Sequence, residues 1–199
     1  MVNVIGMVLG SGWAAGINLY LVTLLLGVAG RLGWADIPSA LARTDVMVVA
    51  GTLFVVEFVA DKIPYVDNVW DAVHTVIRPL GAAAVGAVLA GQSDSIGTAL
   101  GAIVAGALAL DAHAAKASTR LVVNTSPEPV SNIAVSVAED LGVAGLVILA
   151  INFPVITTIV VGILIVAATT ITVLMWRLAR RAWKRVSSWL EGRQGSRSA

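Results

Sequence analysis

Glu57-Phe-Val-Ala-Asp-Lys-Ile-Pro-Tyr-Val-Asp-Asn-Val-Trp-Asp-Ala-Val-His-Thr-Val-Ile-Arg-Pro-Leu-Gly81 decides how the chain is read. Four acids, a lysine, a histidine and an arginine stand in this stretch, between two oily segments. On a helix beginning near Asn68, Asp71, His74, Thr75 and Arg78 recur at offsets of three, four and seven and share one face, with Asp67 one turn behind. Such a stripe is costly beside lipid and must look into protein or water.

The composition around it sets the solvent. Of 199 residues 58% are hydrophobic and 13% charged, against about 25% charged in soluble domains, and mean hydropathy is +0.90. The chain therefore reads as an all-α, polytopic membrane helix bundle, because a helix satisfies its own backbone in lipid. About six spans are expected: 4–29, 45–61, 68–91, 96–120, 133–151 and 154–176. The expected organisation is one bundle domain, 1–176, followed by a basic tail, 177–199. The N-terminus lacks a basic n-region, and its apolar run reads as a retained span. With no cysteine, disulfides and thiolate chemistry are excluded.

Small and rigid residues suggest where helices break or turn. Gly12, Gly16, Pro64, Pro79 and Pro154 are the expected helix breaks, and the Gly12-x-x-x-Gly16 spacing equally permits close helix approach. Gln92–Ser95 and Asn124–Ser131 read as connections. The pair Glu57/Lys62 resembles Asp111/Lys116, and Gly6-x-x-Leu-Gly10 resembles Gly97-x-x-Leu-Gly101. An internal repeat of halves 1–92 and 95–176 is thus one reading, and an inverted repeat is another.

Six crossings place both termini on one side. Seven of the thirteen Lys and Arg follow Met175, so that side is expected to be the cytoplasmic face of a bacterial inner membrane. Lys62, Arg78, Lys116 and Arg120 join the tail there, and only Arg31 and Arg43 fall outside. Glu57, Asp61, Lys62, Asp67, Asp71, His74, Arg78, Asp111, His113, Lys116, Arg120, Glu139 and Asp140 then lie in the cytoplasmic half. Asn18, Tyr20, Thr23, Thr52 and Asn152 are the notable polar groups of the outer half. Each mid-helix charge costs roughly 2.5–3.5 kcal/mol on insertion scales, so the set implies a polar chamber open to the cytoplasm beneath a glycine-rich plug. The plainer alternative is a set of helix-fastening ion pairs: Arg78 or Arg120 with Glu139 or Asp140, and Lys116 with Glu57 or Asp61.

His74 and His113 suit a proton relay or an ordinary interfacial position. Asp67 and Asp71 share a face, yet with bases nearby and no thiols a resident metal is not expected, and no cofactor is called for. No P-loop, GxGxxG or Ser/His/Asp arrangement is present, so an enzyme is not the leading reading. Arg177, Arg180, Arg181, Lys184 and Arg185 oppose Trp176, Trp183, Val186 and Leu190, the pattern of an amphipathic helix lying on anionic inner-leaflet lipid. Membrane location accounts for this basic run without nucleic acid.

Asp61-Lys-Ile-Pro64 with Asp67 and Asp71, Arg78-Pro79 and Gly81, then His113-x-x-Lys116, Arg120, Pro129, Ser131 and Glu139-Asp140, form two ordered clusters. On these the chain resembles a family of small bacterial integral membrane proteins catalogued as a domain of unknown function. The likeness covers most of residues 10–155 and includes Gly16-Ile-Asn18-Leu-Tyr20. It implies a multi-helix membrane fold and names no activity.

The leading expectation is a small transporter or flippase-like carrier for a polar or anionic substrate, such as a lipid phosphate, with scope for proton coupling. A homo-oligomer is expected, since six short helices make a thin wall. A non-transporting scaffold or lipid-binding subunit is the alternative. A Mg-dependent intramembrane lipid enzyme using Asp67, Asp71 and Asp140 ranks last.

Overall fold

A computed structural model describes residues 2–63, 65–91, 94–123 and 129–195. Six helices account for nearly all of them: α1 (Val2–Arg31), α2 (Thr44–Ala60), α3 (Val66–Ala90), α4 (Ser95–Val123), α5 (Pro129–Asn152) and α6 (Pro154–Gly195). Five of these, α1 and α3 to α6, are long and apolar enough to cross a membrane. The remaining helix, α2, has 17 residues, at the short end of the spanning range of about 17–25. The protein is a membrane-spanning all-α bundle. Pro64, Gln92, Ser93 and residues 124–128, where a helix break and two connections were expected, lie outside the described residues, and α5 already begins at Pro129, earlier than the expected connection's end.

Local chemistry explains the boundaries. Asp94 caps α4, its carboxylate accepting from the Gly97 amide at 2.5 Å. Pro154 opens α6, where a proline has no helical hydrogen bond to lose. Pro79 does not break α3, which runs through it from Val66 to Ala90. The cost of one lost hydrogen bond is outweighed by packing on α4, where Gly86 meets the Gly101 carbonyl and Gly106 faces the Pro79 carbonyl.

The break in α1 falls at Asn18, not at Gly12 or Gly16. Asn18 has φ −148 and ψ 95 inside an otherwise helical run. Gly12 and Gly16 serve instead as close-packing points against Ala105 and Ala109 of α4. The two halves of α1 point in different directions. The first half runs beside α4 in the same sense, with Gly12 at Ala105 and Gly16 at Ala112. It runs opposite to α5, with Gly10 at Ala150 and Asn18 at Asp140, and Gly6 meets Pro154 at the start of α6. The second half pairs antiparallel with α2, with Leu24 at Gly51, Gly27 at Met47 and the Arg31 guanidinium on the Thr44 hydroxyl. The α2 helix descends antiparallel to α3, Val49 and Leu53 near Gly81 and Val85, and Glu57 at Arg78.

After Asn18 the chain therefore heads back toward the end of the bundle where it began. Helix α1 enters and returns, α2 to α6 alternate in direction, and the two ends of the chain lie at opposite ends of the bundle. This corrects the expectation of both termini on one side, which assumed that a 30-residue apolar helix must cross. It also weakens the inverted-repeat alignment, because the first half of α1 and α4 run the same way.

The core is built around α1. Ala14, Ala15, Val22 and Leu26 are fully buried among Ala82, Ala105, Ala109, Ala112 and Val147. By contrast Ile159, Ile163 and Val166 of α6 are more than half exposed, as lipid-facing positions should be. The tail is no separate surface helix: α6 continues unbroken from Pro154 to Gly195. At 42 residues it is about 63 Å long, twice the hydrocarbon thickness. Within it, the Arg180 guanidinium stacks over the Trp176 ring at 4.7 Å.

Candidate functional site

Where the halves of α1 meet, α2, α3, α4 and α5 converge and bring their charges with them. Arg78 reaches Glu57 at 2.7 Å and Asp71 at 2.9 Å. Lys116 reaches Asp61 at 2.6 Å, with Glu139 at 3.6 Å and Glu57 at 3.8 Å. Arg120 reaches Glu139 at 2.5 Å, Asp61 at 3.5 Å and Asp67 at 3.7 Å. These pairs form one connected network. The three basic side chains are at most 1% exposed, and all the acids but Glu139, at 16%, are at most 5% exposed.

The expected open chamber is absent at these residues. The charges are packed as direct pairs in a buried interior, because four helices deliver complementary side chains at one level. Wetness could not be read from helical spacing, since paired and solvated stripes have the same period.

The broken helix is joined to the network. Asn18 caps the second half of α1 by accepting from the Leu21 amide at 2.9 Å, and its amide nitrogen donates to Asp140 at 3.0 Å. The first half ends on carbonyls that face cations: Ile17 accepts from Lys116 at 3.2 Å and Gly16 lies 3.5 Å from Arg78. A helix C-terminus carries partial negative charge, so positive side chains are favoured there. Replacing Asn18 with Ala should remove the cap, worth about 0.5–2 kcal/mol, and deprive Asp140 of its donor. Thermal unfolding in detergent should shift down; an unshifted curve would mean that Asn18 does not hold the break.

Hydrogen-bond direction fixes His113 as neutral. Its Nδ1 accepts a hydrogen bond from the Arg78 guanidinium at 2.7 Å, so its Nε2 donates to Thr75, whose hydroxyl in turn donates to the Asp71 carbonyl. His74 donates from Nδ1 to the Trp70 carbonyl at 2.8 Å, and its Nε2 shares a hydrogen bond with the Tyr20 hydroxyl at 2.9 Å. Its ring stacks on Trp70 at 4.5 Å.

Charge does not balance. Among the described residues the network joins five acids to three bases. His113 adds nothing, and Lys62 is offset by nearby Asp140. Among the described residues the network thus holds two more carboxylates than Lys and Arg side chains, in a medium where buried charge is expensive. Glu57 Oε2, Asp61 Oδ1 and Asp71 Oδ2 are also buried without hydrogen-bond partners.

Lys62, in the connection between α2 and α3, sits over the Phe58 ring at 3.0 Å and donates to the Phe58 carbonyl and Ser136. Burial pulls its pKa below the usual lysine value, with Asp140 pulling the other way. Asp111 does not join the site; it faces α6 and accepts from Thr169 at 2.9 Å. The three acids suggested for Mg²⁺ are divided: Asp71 serves Arg78, Asp67 serves Arg120 and Asp140 serves Asn18. No group of three or more metal-ligating side chains converges among the described residues.

Asn18 and Tyr20, placed in the outer half by the straight-helix reading, belong to the site because α1 turns there. Asn132 and Ser136 were missed. Asn132 accepts from Arg120 at 2.5 Å and donates to the Asp61 carbonyl at 3.1 Å. Their spacing to Glu139 and Asp140, at offsets of four, seven and eight, marks one helical face and was the available signal.

The family model described as Domain of unknown function (DUF4126) matches residues 5–174. No curated protein and no solved structure matches the chain.

Proposed function

The chain belongs to the DUF4126 family, and on that footing we propose that it is a small secondary carrier whose buried acids take up protons. The observation that carries this reading is the interrupted α1, whose freed carbonyls at Gly16 and Ile17 contact Arg78 and Lys116 at the heart of the network. Discontinuous helices meeting charged side chains inside the bilayer are how secondary carriers build ion and substrate sites. A purely structural brace has no need of a broken helix or of two surplus carboxylates.

Bound protons answer that surplus inside the network. In this reading the buried network is the occluded state. An anionic substrate is a poor fit, since Arg78, Lys116 and Arg120 are each already shared by two or more acids. The basic end of the bundle, with the tail, faces the cytoplasm of a bacterial inner membrane, and the N-terminus faces the other side. The tail meets anionic lipid, and the exposed apolar faces of α2, α5 and α6 serve a homo-oligomer. No catalysis is invoked.

The test is proton flux in proteoliposomes carrying a lumenal pH dye under an imposed membrane potential. The wild type should acidify or alkalinise the lumen well above empty vesicles, and Glu57→Gln should cut that rate by about tenfold, some 1.4 kcal/mol. Wild-type flux equal to that of empty vesicles, or undiminished in Glu57→Gln, would leave the second reading: a non-transporting scaffold or lipid-binding subunit. That reading draws on the tightness of the same pairs.

A further inference from the structure

Helix α2 puts little apolar surface into the core. Ala50, Glu57 and Ala60 are its only buried residues, and Val55, Val56 and Val59 near its inner end are exposed. That end rests on charge instead: Glu57 on Arg78 at 2.7 Å, and Asp61, in the turn that closes the helix, on Lys116 at 2.6 Å. The same turn is tied down from below. The Asp61 carbonyl accepts from Arg120 at 3.0 Å and from the Asn132 amide at 3.1 Å, and Lys62 donates to the Ser136 hydroxyl at 3.3 Å. Asn132 and Ser136 are both buried, so these bonds are made beneath the turn. At the end of the bundle that carries the tail, this cover is thin: Asp61 is 2% exposed and Ile63, two residues on, 47%. Toward the other end, Ala82, Ala109 and Ala112 are fully buried. Segments with few buried apolar contacts are the first to open in a folded protein. The chain then enters α3 through Tyr65 at φ 71, a strained conformation for a residue with a side chain, which persists only where the surroundings hold it.

We infer that residues 57–63, the inner end of α2 with its closing turn, form the gate between the buried network and the cytoplasm, and that Asn132 and Ser136 are the positioning residues that latch it shut. Lifting this end disturbs almost no apolar packing. It parts Glu57 from Arg78 and Asp61 from Lys116 and Arg120, and it does so toward water, so no charge is stranded in the interior. The acids of the network then meet the aqueous phase in which protons are exchanged. Asn132 suits a latch because one neutral amide donates to the turn and accepts from Arg120 at 2.5 Å, tying the turn to α4 and α5 without adding charge. On release, water can take over both of its bonds. This inference rests on the carrier reading for its purpose and on the packing of α2 for its mechanics.

The chain has no cysteine, so one introduced thiol reports on opening. Ala60→Cys puts a thiol on the buried face of α2 beside Glu57 and Asp61, and Ala168→Cys puts a control on the buried face of α6. The full chain in detergent is treated with a charged methanethiosulfonate, which reacts only with thiols that meet water. Adding Asn132→Ala should make the Ala60→Cys protein react about tenfold faster, the weight of about one hydrogen bond, and leave the Ala168→Cys protein unchanged. Equal acceleration in both overturns the proposal by showing a general loosening, and no acceleration in the first overturns it outright. A second measurement decides the matter if Asn132→Ala does not fold. The double variant Lys62→Cys with Ser136→Cys is bridged by a short bifunctional methanethiosulfonate and reconstituted. Proton flux should fall to that of empty vesicles and return when a reductant cleaves the bridge. Flux undiminished by the bridge overturns the gate and leaves the carrier. A wild type that moves no protons, while Asn132→Ala still exposes the Ala60→Cys thiol, keeps the moving end of α2 and removes the carrier.

Discussion

Arg78→Ala should be the most damaging single change in the protein. The side chain is fully buried and holds two carboxylates and a histidine from three helices, Glu57, Asp71 and His113. Removing one partner of a buried pair costs about 3–5 kcal/mol because the other charge stays behind unpaired. The expected outcome is a large drop in the unfolding midpoint in detergent, or loss of the folded protein. Arg78→Lys should not rescue it, since a single ammonium cannot reproduce the guanidinium fork that spans Glu57, Asp71 and the His113 ring. Combining Arg78→Ala with Glu57→Gln should recover part of the loss, because the stranded charge is then gone. A midpoint unchanged in the single variant would mean that the network contributes little to holding α2 against α3.

The second large effect should come from a site without charge. At Gly86 an added Cβ would run into the Gly101 carbonyl and meet the Ala105 methyl at 2.5 Å, and at Gly101 the clash is returned. Backbones this close cannot part without separating α3 from α4 along their whole interface. Gly86→Val should cost about 1–3 kcal/mol or more, read from the same unfolding curve. Gly162→Ala is the control: nothing lies within 4 Å of its added methyl, and the change should stay within about 0.5 kcal/mol. Equal behaviour of the two variants would contradict the close crossing.

The helices were legible because lipid makes them so. Long apolar runs such as 154–176 have no alternative to helix, and the offsets of Asp71, His74 and Arg78 put them on one face whatever lies opposite. The alternative pairings also came through, Arg120 finding Glu139 and Lys116 finding Asp61, since opposite charges at one depth have few other partners. The turn at Asn18 was not legible. Its cause is a cap on Leu21 combined with a bond to Asp140 in a helix 122 residues away, while Gly12 and Gly16, whose spacing allowed either a break or a close approach, act as packing points. Once α1 turned, parity failed with it, and Asn18 and Tyr20 moved from the outer half into the site. The burial of the network was hidden for a similar reason: periodicity tells which residues share a face, not what stands against it.

The claim on which the rest depends is that two negative charges of the buried network are answered by protons. Infrared spectroscopy of the purified protein at neutral pH tests it directly, through the carbonyl stretch of protonated carboxylic acids and its shift in heavy water. The account predicts a signal corresponding to about two protonated carboxyls, reduced in Glu57→Gln. A neutral-pH spectrum in which every carboxyl is ionised would contradict it.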